Sequence, residues 1–231
     1  MTIFLLNKEV DLDKSELLLS LPFADASDLE QLELASGSWG IENGALVGRF
    51  RGNGGGICYT KGSFPGDILI DFYGTMLSPC NNDLNFVLKA EGWDYERNDA
   101  ARGFIGGLNG WYDKKAGFEK YPLCDTQALV PFAAVSDREY HIQAGYCKDT
   151  LFLAVDGQLL VEMRDPAPEE FAGFGRIGLG TYCSQIRFRD LKKYLDYVNG
   201  IVVNPFGFAL RLDGEKLDRI EKENMKLKVV K

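Results

Sequence analysis

Between residues 85 and 121 the chain collects side chains suited to carbohydrate chemistry. Trp93, Tyr95, Trp111 and Tyr112 stand among Glu91, Asp94, Lys114 and Glu119, with Asn85, Lys89 and Lys120 close by in sequence. Indole and phenol rings offer broad apolar faces with a polar handle, which match the C–H faces of a sugar ring. Carboxylates, amides and cations match its rim of hydroxyls. Glu91 and Glu119 are the candidate acid pair, since glycoside hydrolysis uses two carboxyl groups, ~5–5.5 Å apart for retention or ~6.5–9.5 Å for inversion. An elimination would instead need a base to take a proton beside a carbonyl, and Lys89, Lys120, Tyr121 or His141 has the chemistry for it. His141, the chain's single histidine, has an unperturbed pKa of ~6.5 that suits either role. Its position also fits a hydrogen-bonded surface histidine. The candidate catalytic residues are therefore Glu91, Glu119 and His141. The candidate substrate contacts are Asn85, Lys89, Trp93, Tyr95, Trp111, Tyr112 and Lys120. The competing reading makes the aromatics a mini-core of their own loops and the charges a solvated rim.

These residues need a scaffold, and residues 138–163 describe one. Tyr140, Ile142, Ala144 and Tyr146 alternate with His141, Gln143, Gly145 and Cys147, so the two sets face opposite sides of a strand. After a short Lys148-Asp149 turn, Leu151, Leu153 and Val155 repeat the pattern. Asp156-Gly157 suits a type I′ hairpin turn, and Leu159, Val161 and Met163 return. A meander of this kind must bury its apolar face on a second sheet. Asn43-Gly44 predicts another hairpin over 38–50. Residues 68–73, 83–89, 174–182 and 186–190 read as further strands, and residues 1–24 as two short ones. Asp25 to Leu34 reads as a loop with one turn of helix. The glycine-rich stretch 51–56 runs into a strand rather than a helix, so it is a turn and not a phosphate cradle. Residues 90–128, punctuated by Gly103, Gly106, Gly107, Gly110 and Gly117, read as long loops, which in compact domains are usually functional. At least ten strands with many turn signals predict an all-β sandwich.

The last 40 or so residues read as a mixed extension: a short helix over 191–199 stopped by Gly200, strands at 201–203 and 208–212, a turn at Asp213-Gly214 and a charged, helical end from Leu217. The expected division is a sandwich over 1–191 and an extension over 192–231 that packs on it or on a partner, for instance across a homodimer.

Composition excludes several classes. A net charge of −8 lacks the basic face that phosphate contacts require, so nucleic acid is not an expected partner. The longest apolar runs are too short to cross a bilayer. The start, Met1-Thr-Ile-Phe-Leu-Leu-Asn-Lys-Glu-Val, lacks the features of a secretory signal, and five scattered cysteines fit free thiols in a reducing compartment. Both point to the cytoplasm. One histidine and no C-x-x-C pair argue against zinc, and no cofactor is expected.

Several phrases fall in a familiar order: Gly37-Ser-Trp39-Gly-Ile-Glu-Asn-Gly44-Ala-Leu46, Phe64-Pro-Gly-Asp67-Ile-Leu-Ile-Asp-Phe72, Tyr140-His-Ile142, Leu151-Phe-Leu-Ala-Val-Asp-Gly157, Gly175-Arg-Ile-Gly-Leu-Gly180 and Ile186-Arg-Phe-Arg-Asp-Leu191. Over residues 20–191 the chain resembles the concanavalin A-like lectin/glucanase superfamily, and within it the bacterial 3-keto-disaccharide hydrolase-like domains and related sugar-cluster proteins. The resemblance implies a jelly-roll sandwich of two antiparallel sheets whose concave face often holds sugar. It also implies a structural calcium ion as an option, with Asp67, Asp71 and Asp190 as candidate ligands. The glucanase run Glu-x-Asp-x-x-Glu is absent, and Asn85-Phe-Val-Leu-Lys89 stands where the keto-disaccharide group often shows Asn-Ser-Gly. No family catalytic residue is carried across. The expected function is action on a short oligosaccharide or modified glycoside, as hydrolase or lyase, at a concave face covered by the 85–121 loops. The alternatives are a non-catalytic carbohydrate-binding module and a dimeric structural subunit.

Overall fold

The computed structural model describes residues 2–5, 8–50, 55–111, 114–195, 198–203 and 209–212. Two antiparallel sheets face one another. The first has seven strands in the order Gln127–Pro131, Lys115–Tyr121, Gly103–Gly110, Leu84–Ala90, Arg176–Tyr182, Gly55–Thr60 and Leu32–Ser36. The second has eight: Gln158–Arg164, Thr150–Val155, Glu139–Cys147, Ile68–Met76, Gln185–Leu195, Leu46–Arg49 and Ser38–Ile41 in order, with Glu16–Leu21 paired to the far half of Gln185–Leu195. The predicted meander is present in register, with Cys147 opposite Thr150 and Val155 opposite Gln158. Asn43, Gly44, Asp156 and Gly157 all take the positive φ that their turns require.

The core is a layer of aromatic rings that links the two sheets. Trp39 stacks on Phe188, Phe188 meets Phe72, Phe72 meets Phe86 across the sandwich and Phe86 meets Phe118, with centroid separations of 6.2, 6.0, 5.9 and 5.7 Å. All four phenylalanines are fully buried. Each contributes roughly 1.5–3 kcal/mol by leaving water. Tyr140, Ile142, Ala144 and Tyr146 all join this core, as their alternation predicts.

Three expectations are corrected. Gly103–Gly110 and Lys115–Tyr121 are not loops but two adjacent strands of the seven-stranded sheet. Their glycines are strand positions pressed under bulky side chains: a Cβ on Gly106 would lie 2.5 Å from the Phe86 ring, and one on Gly107 2.3 Å from Asn85 Oδ1. Among the described residues of 191–199 there is no helix. Leu191 is buried and Lys192 to Leu195 pair with Ile68–Met76 on one side and Glu16–Leu21 on the other, so ladder bonds on both edges override the helical pattern. The described residues of 1–24 include three strands rather than two, and Lys8–Asp11 pairs with Val198–Val203, which pairs with Ala209–Leu212. The strand Gln185–Leu195 runs through residue 191, the expected boundary. Asp213-Gly214 and the predicted terminal helix lie outside the described residues.

One end of the sandwich buries lysines. Lys193 is fully buried, donates from Nζ to the Gly175 carbonyl at 2.5 Å and sits over the Phe64 ring. Burial, reinforced by the Lys89 ammonium, pushes its amine down to about 8. The unfolded chain holds this proton up to ~10.4, so stability rises with pH between about 8 and ~10.4, and below about 8 the full cost of a buried ammonium is present. Lys193→Met keeps the volume, and the Gly175 carbonyl retains the Phe64 N–H at 3.1 Å. Thermal unfolding at pH 7 should show the variant more stable by about 1–2 kcal/mol, with the advantage shrinking as pH rises from about 8 to ~10.4.

Candidate functional site

The outer face of the seven-stranded sheet carries a cleft of about 870 Å³, within the ~300–1,000 Å³ usual for small-molecule sites. Strand alternation makes its floor. Phe86, Phe104, Phe118 and Leu179 point into the core, so Asn85, Val87, Ile105, Glu119 and Gly180 face out, and all five line the cleft. Ile57 joins them from the neighbouring strand.

Walls rise at opposite ends of Leu84–Ala90. One is the small hairpin pairing Trp93–Asp94 with Asp99–Ala100. Asp94 accepts the Glu96 and Arg97 N–H groups, closing its turn. Tyr95 donates its hydroxyl to Glu33 at 2.5 Å and Tyr121 donates to Asp99, which fixes the hairpin to the sheet. Trp93 packs on the outward apolar patch of Ile57, Tyr59, Val87 and Ala90. The other wall is built from 81–83 with Asn109, Trp111 and Lys114. Buried Asn109 bonds the Asn81 and Ala134 carbonyls and the Ala134 N–H, each at 2.7 Å. Trp111 follows and donates its indole N–H to Glu119 Oε2 at 2.9 Å. Asp83, Asn98, Asn109, Trp111, Lys114 and Cys183 all line the cleft and all have left-handed backbones. Non-glycine residues hold that conformation at a cost and concentrate at functional sites.

The cleft is acidic. Asp83, Asp99 and Glu119 line it, and among the described lining residues Lys114 is the one cation, exposed at the rim. Burial, with a smaller push from Glu119, raises the Asp83 carboxyl to about 6. Its neutral form is favoured in the folded chain, so stability is lost as pH rises from ~4 through about 6. Asp83→Asn should leave the melting temperature unchanged at pH 4 and raise it at pH 7.5. The expected gain is on the order of 1 kcal/mol after allowing for solvent at the cleft, or roughly 2–4 °C.

Of the sequence-predicted residues, Asn85, Trp93, Trp111 and Glu119 come together in this cleft. Glu91 does not meet Glu119: it is exposed and held in a two-pronged bond by Arg102, at 2.9 and 3.0 Å. His141 lies on the other sheet, bonded to Asp71 at 2.9 Å and stacked on Tyr73. That Asp71 bond raises its pKa. Lys89 would share the face of Asn85 by strict alternation. A bulge with φ +50° beside the register shift at Arg176 and Gly178 turns it instead toward the Gly66 carbonyl and the Tyr146 ring. Lys120 faces inward because Glu119 faces outward, and pairs with Asp165 at 3.2 Å and Glu170 at 2.8 Å. Tyr95 is an exposed strut of the hairpin. Burial and the Asp99 bond raise the Tyr121 phenol, which stays protonated. Tyr112 lies outside the described residues. Asp67 accepts the Lys148 N–H, Asp71 bonds His141 and Gln143, and Asp190 pairs with Arg189. Each of the three aspartates thus already has a protein partner, and among the described residues no three His, Cys, Asp or Glu side chains group together. Sequence reasoning missed Asp83, Asp99 and Gly180. Asp83 was read only as the first residue of the 83–89 strand, and nothing in the pattern linked Asp99 to the sheet.

No family model matches the chain, and no curated protein matches it. Solved structures do. A protein of unknown function with a galectin-like fold from Bacillus subtilis superposes with a TM-score of 0.63 at 12% identity, over 78% of this chain and 96% of that one. The carbohydrate-binding module CBM66 from Bacillus subtilis gives 0.56 at 17%, over 71% and 96%. The apo Crh5 transglycosylase gives 0.56 at 13%, over 78% and 86%. At these identities the likeness is one of fold. The chain shares the two-sheet β-sandwich fold of these structures.

Proposed function

We propose that the cleft on the seven-stranded sheet binds a short oligosaccharide or modified glycoside. The observation that carries this reading is the convergence of Trp93 and Trp111 with Asn85 and Glu119 on one cleft of saccharide size. Indole faces match sugar C–H faces, and the amide and carboxylate match hydroxyls. A carbohydrate-binding module and a transglycosylase of the same fold support it. The test is a ligand-observed NMR screen of neutral di- and trisaccharides, repeated on Trp93→Ala. Binding that the variant loses is the expected result, and binding indifferent to Trp93 would overturn the reading.

A second reading, hydrolysis in the same cleft, is favoured by one observation: Asp83 and Glu119 both line it, and Asp83 is raised toward the range of a proton donor. Mass spectrometry of the same tubes tests it. Product that disappears in Glu119→Gln and Asp83→Asn while binding persists makes the protein a hydrolase, and binding without product makes it a binding module. The lyase alternative has less support, because Lys89, Lys120 and His141 do not line the cleft and Tyr121 donates to Asp99.

A further inference from the structure

Glycines of the seven-stranded sheet divide into two kinds. At Gly106, Gly107 and Gly117 a Cβ would stand 2.5 Å or less from a neighbouring atom, so the fold itself demands glycine. Gly180 and Gly55 differ. Both lie within strands and line the cleft. A Cβ at Gly180 would meet nothing nearer than Asn85 Cβ at 3.3 Å, and one at Gly55 nothing nearer than the Thr181 carbonyl oxygen at 3.4 Å. Neither has the positive φ that favours glycine. A strand glycine costs roughly 0.5–1 kcal/mol relative to alanine, and at these two positions a methyl would be held tightly but would not overlap a neighbour as it would at Gly106, Gly107 and Gly117. Glycine inside a strand otherwise marks close approach of a ligand or another backbone.

The surroundings say what approaches. Gly180 pairs with Asn85 on one side and Ile57 on the other, and Asn85 pairs in turn with Gly107. The Asn85 amide oxygen leans over Gly107, which leaves bare strand on the Gly180 side. A ladder with its N–H and C=O groups already paired presents a surface of low polarity, here a narrow strip bordered by the Asn85 amide and by the Ile57 and Tyr182 side chains, which lie opposite Gly180 and Gly55.

Resting on the saccharide reading of the cleft, we propose that Gly180 and Gly55 form a seat on which one pyranose ring lies flat against the strands, its hydroxyl edge toward Asn85, and that the seat selects a ring with all substituents equatorial. Such a ring carries only C–H bonds on its faces. An axial hydroxyl on the seated face would lift it off the backbone, as a side-chain methyl at either glycine would.

Isothermal titration of the full chain with β-1,4-glucotriose and β-1,4-mannotriose tests this, the second differing by an axial hydroxyl on each ring. The expected result is at least tenfold tighter binding of the glucotriose, reduced at least tenfold in Gly180→Ala, with a melting curve showing the variant still folded at the titration temperature. Undiminished binding by Gly180→Ala, or equal affinity for the two sugars, overturns the seat while leaving the cleft reading intact. Should Gly180→Ala melt early, Gly55→Ala carries the same expectation and the same refutation. If neither sugar binds the parent, the seat falls, and the wider screen with Trp93→Ala decides the cleft separately.

Discussion

Trp111→Ala should lower saccharide affinity by about 10- to 100-fold, the equivalent of roughly 1.4–2.8 kcal/mol. Two losses combine. The indole face disappears from the cleft wall, removing an aromatic surface worth roughly 1–2 kcal/mol against a sugar ring. The indole N–H also leaves Glu119, whose remaining side-chain amide partner, Gln127, stands at 3.4 Å. Trp111→Phe separates the two: it restores a stacking face without the N–H, so it should recover part of the affinity but not all. Fold should be spared, since Trp111 is only partly buried and lies outside the core cluster. Calorimetric titration with a binding saccharide from the screen, alongside a melting curve, checks both statements.

Phe86→Ala should cost about 3–5 kcal/mol of stability and lower the melting temperature by roughly 6–20 °C. Phe86 is fully buried and edge-on to Phe72 from one sheet and Phe118 from its own. Its removal leaves a void where the two sheets meet, because Gly106 beside it has no side chain to fill the space. The effect should reach the cleft as well. Asn85 and Val87 flank Phe86 on the same strand and face outward, so loss of the buried ring frees the strand that holds the floor. A weaker affinity in the still-folded fraction, measured at low temperature, is the corollary.

The rhythm of the strands was legible wherever side chains alternate cleanly. Tyr140 to Tyr146 and the Asn43-Gly44 and Asp156-Gly157 turns state their geometry in local terms, because period two and positive φ are properties of a few consecutive residues. The 103–121 strands were not legible. Their glycines are chosen by Phe86, Phe118, Asn85 and Ala128 across the sheet, and nothing within the segment announces those partners. The 191–199 stretch failed for a related reason, since its partners lie more than a hundred residues away in Ile68–Met76 and Glu16–Leu21.

The site was legible by residue type and not by position. Asn85, Trp93, Trp111 and Glu119 were chosen because amides, indoles and carboxylates suit sugars, and they do share the cleft. Lys89 and Lys120 had suitable chemistry too. A bulge turned one inward and alternation the other. Glu91 satisfies itself with Arg102 eleven residues on, and His141 belongs to the opposite sheet. Asp83 escaped notice because its character comes from burial and from Glu119, neither visible in an Asn-Asn-Asp run.

The chain's three tryptophans give the most direct test of the central claim. Trp93 and Trp111 line the cleft, while Trp39 stacks on Phe188 and holds the Ser36 carbonyl with its indole N–H. Labelled indole nitrogens report all three sites in one NMR spectrum, and a saccharide found by the screen can be titrated against them. Saturable shifts of the Trp93 and Trp111 resonances, with Trp39 unmoved, are the predicted result. Binding that moves neither cleft tryptophan would contradict the account.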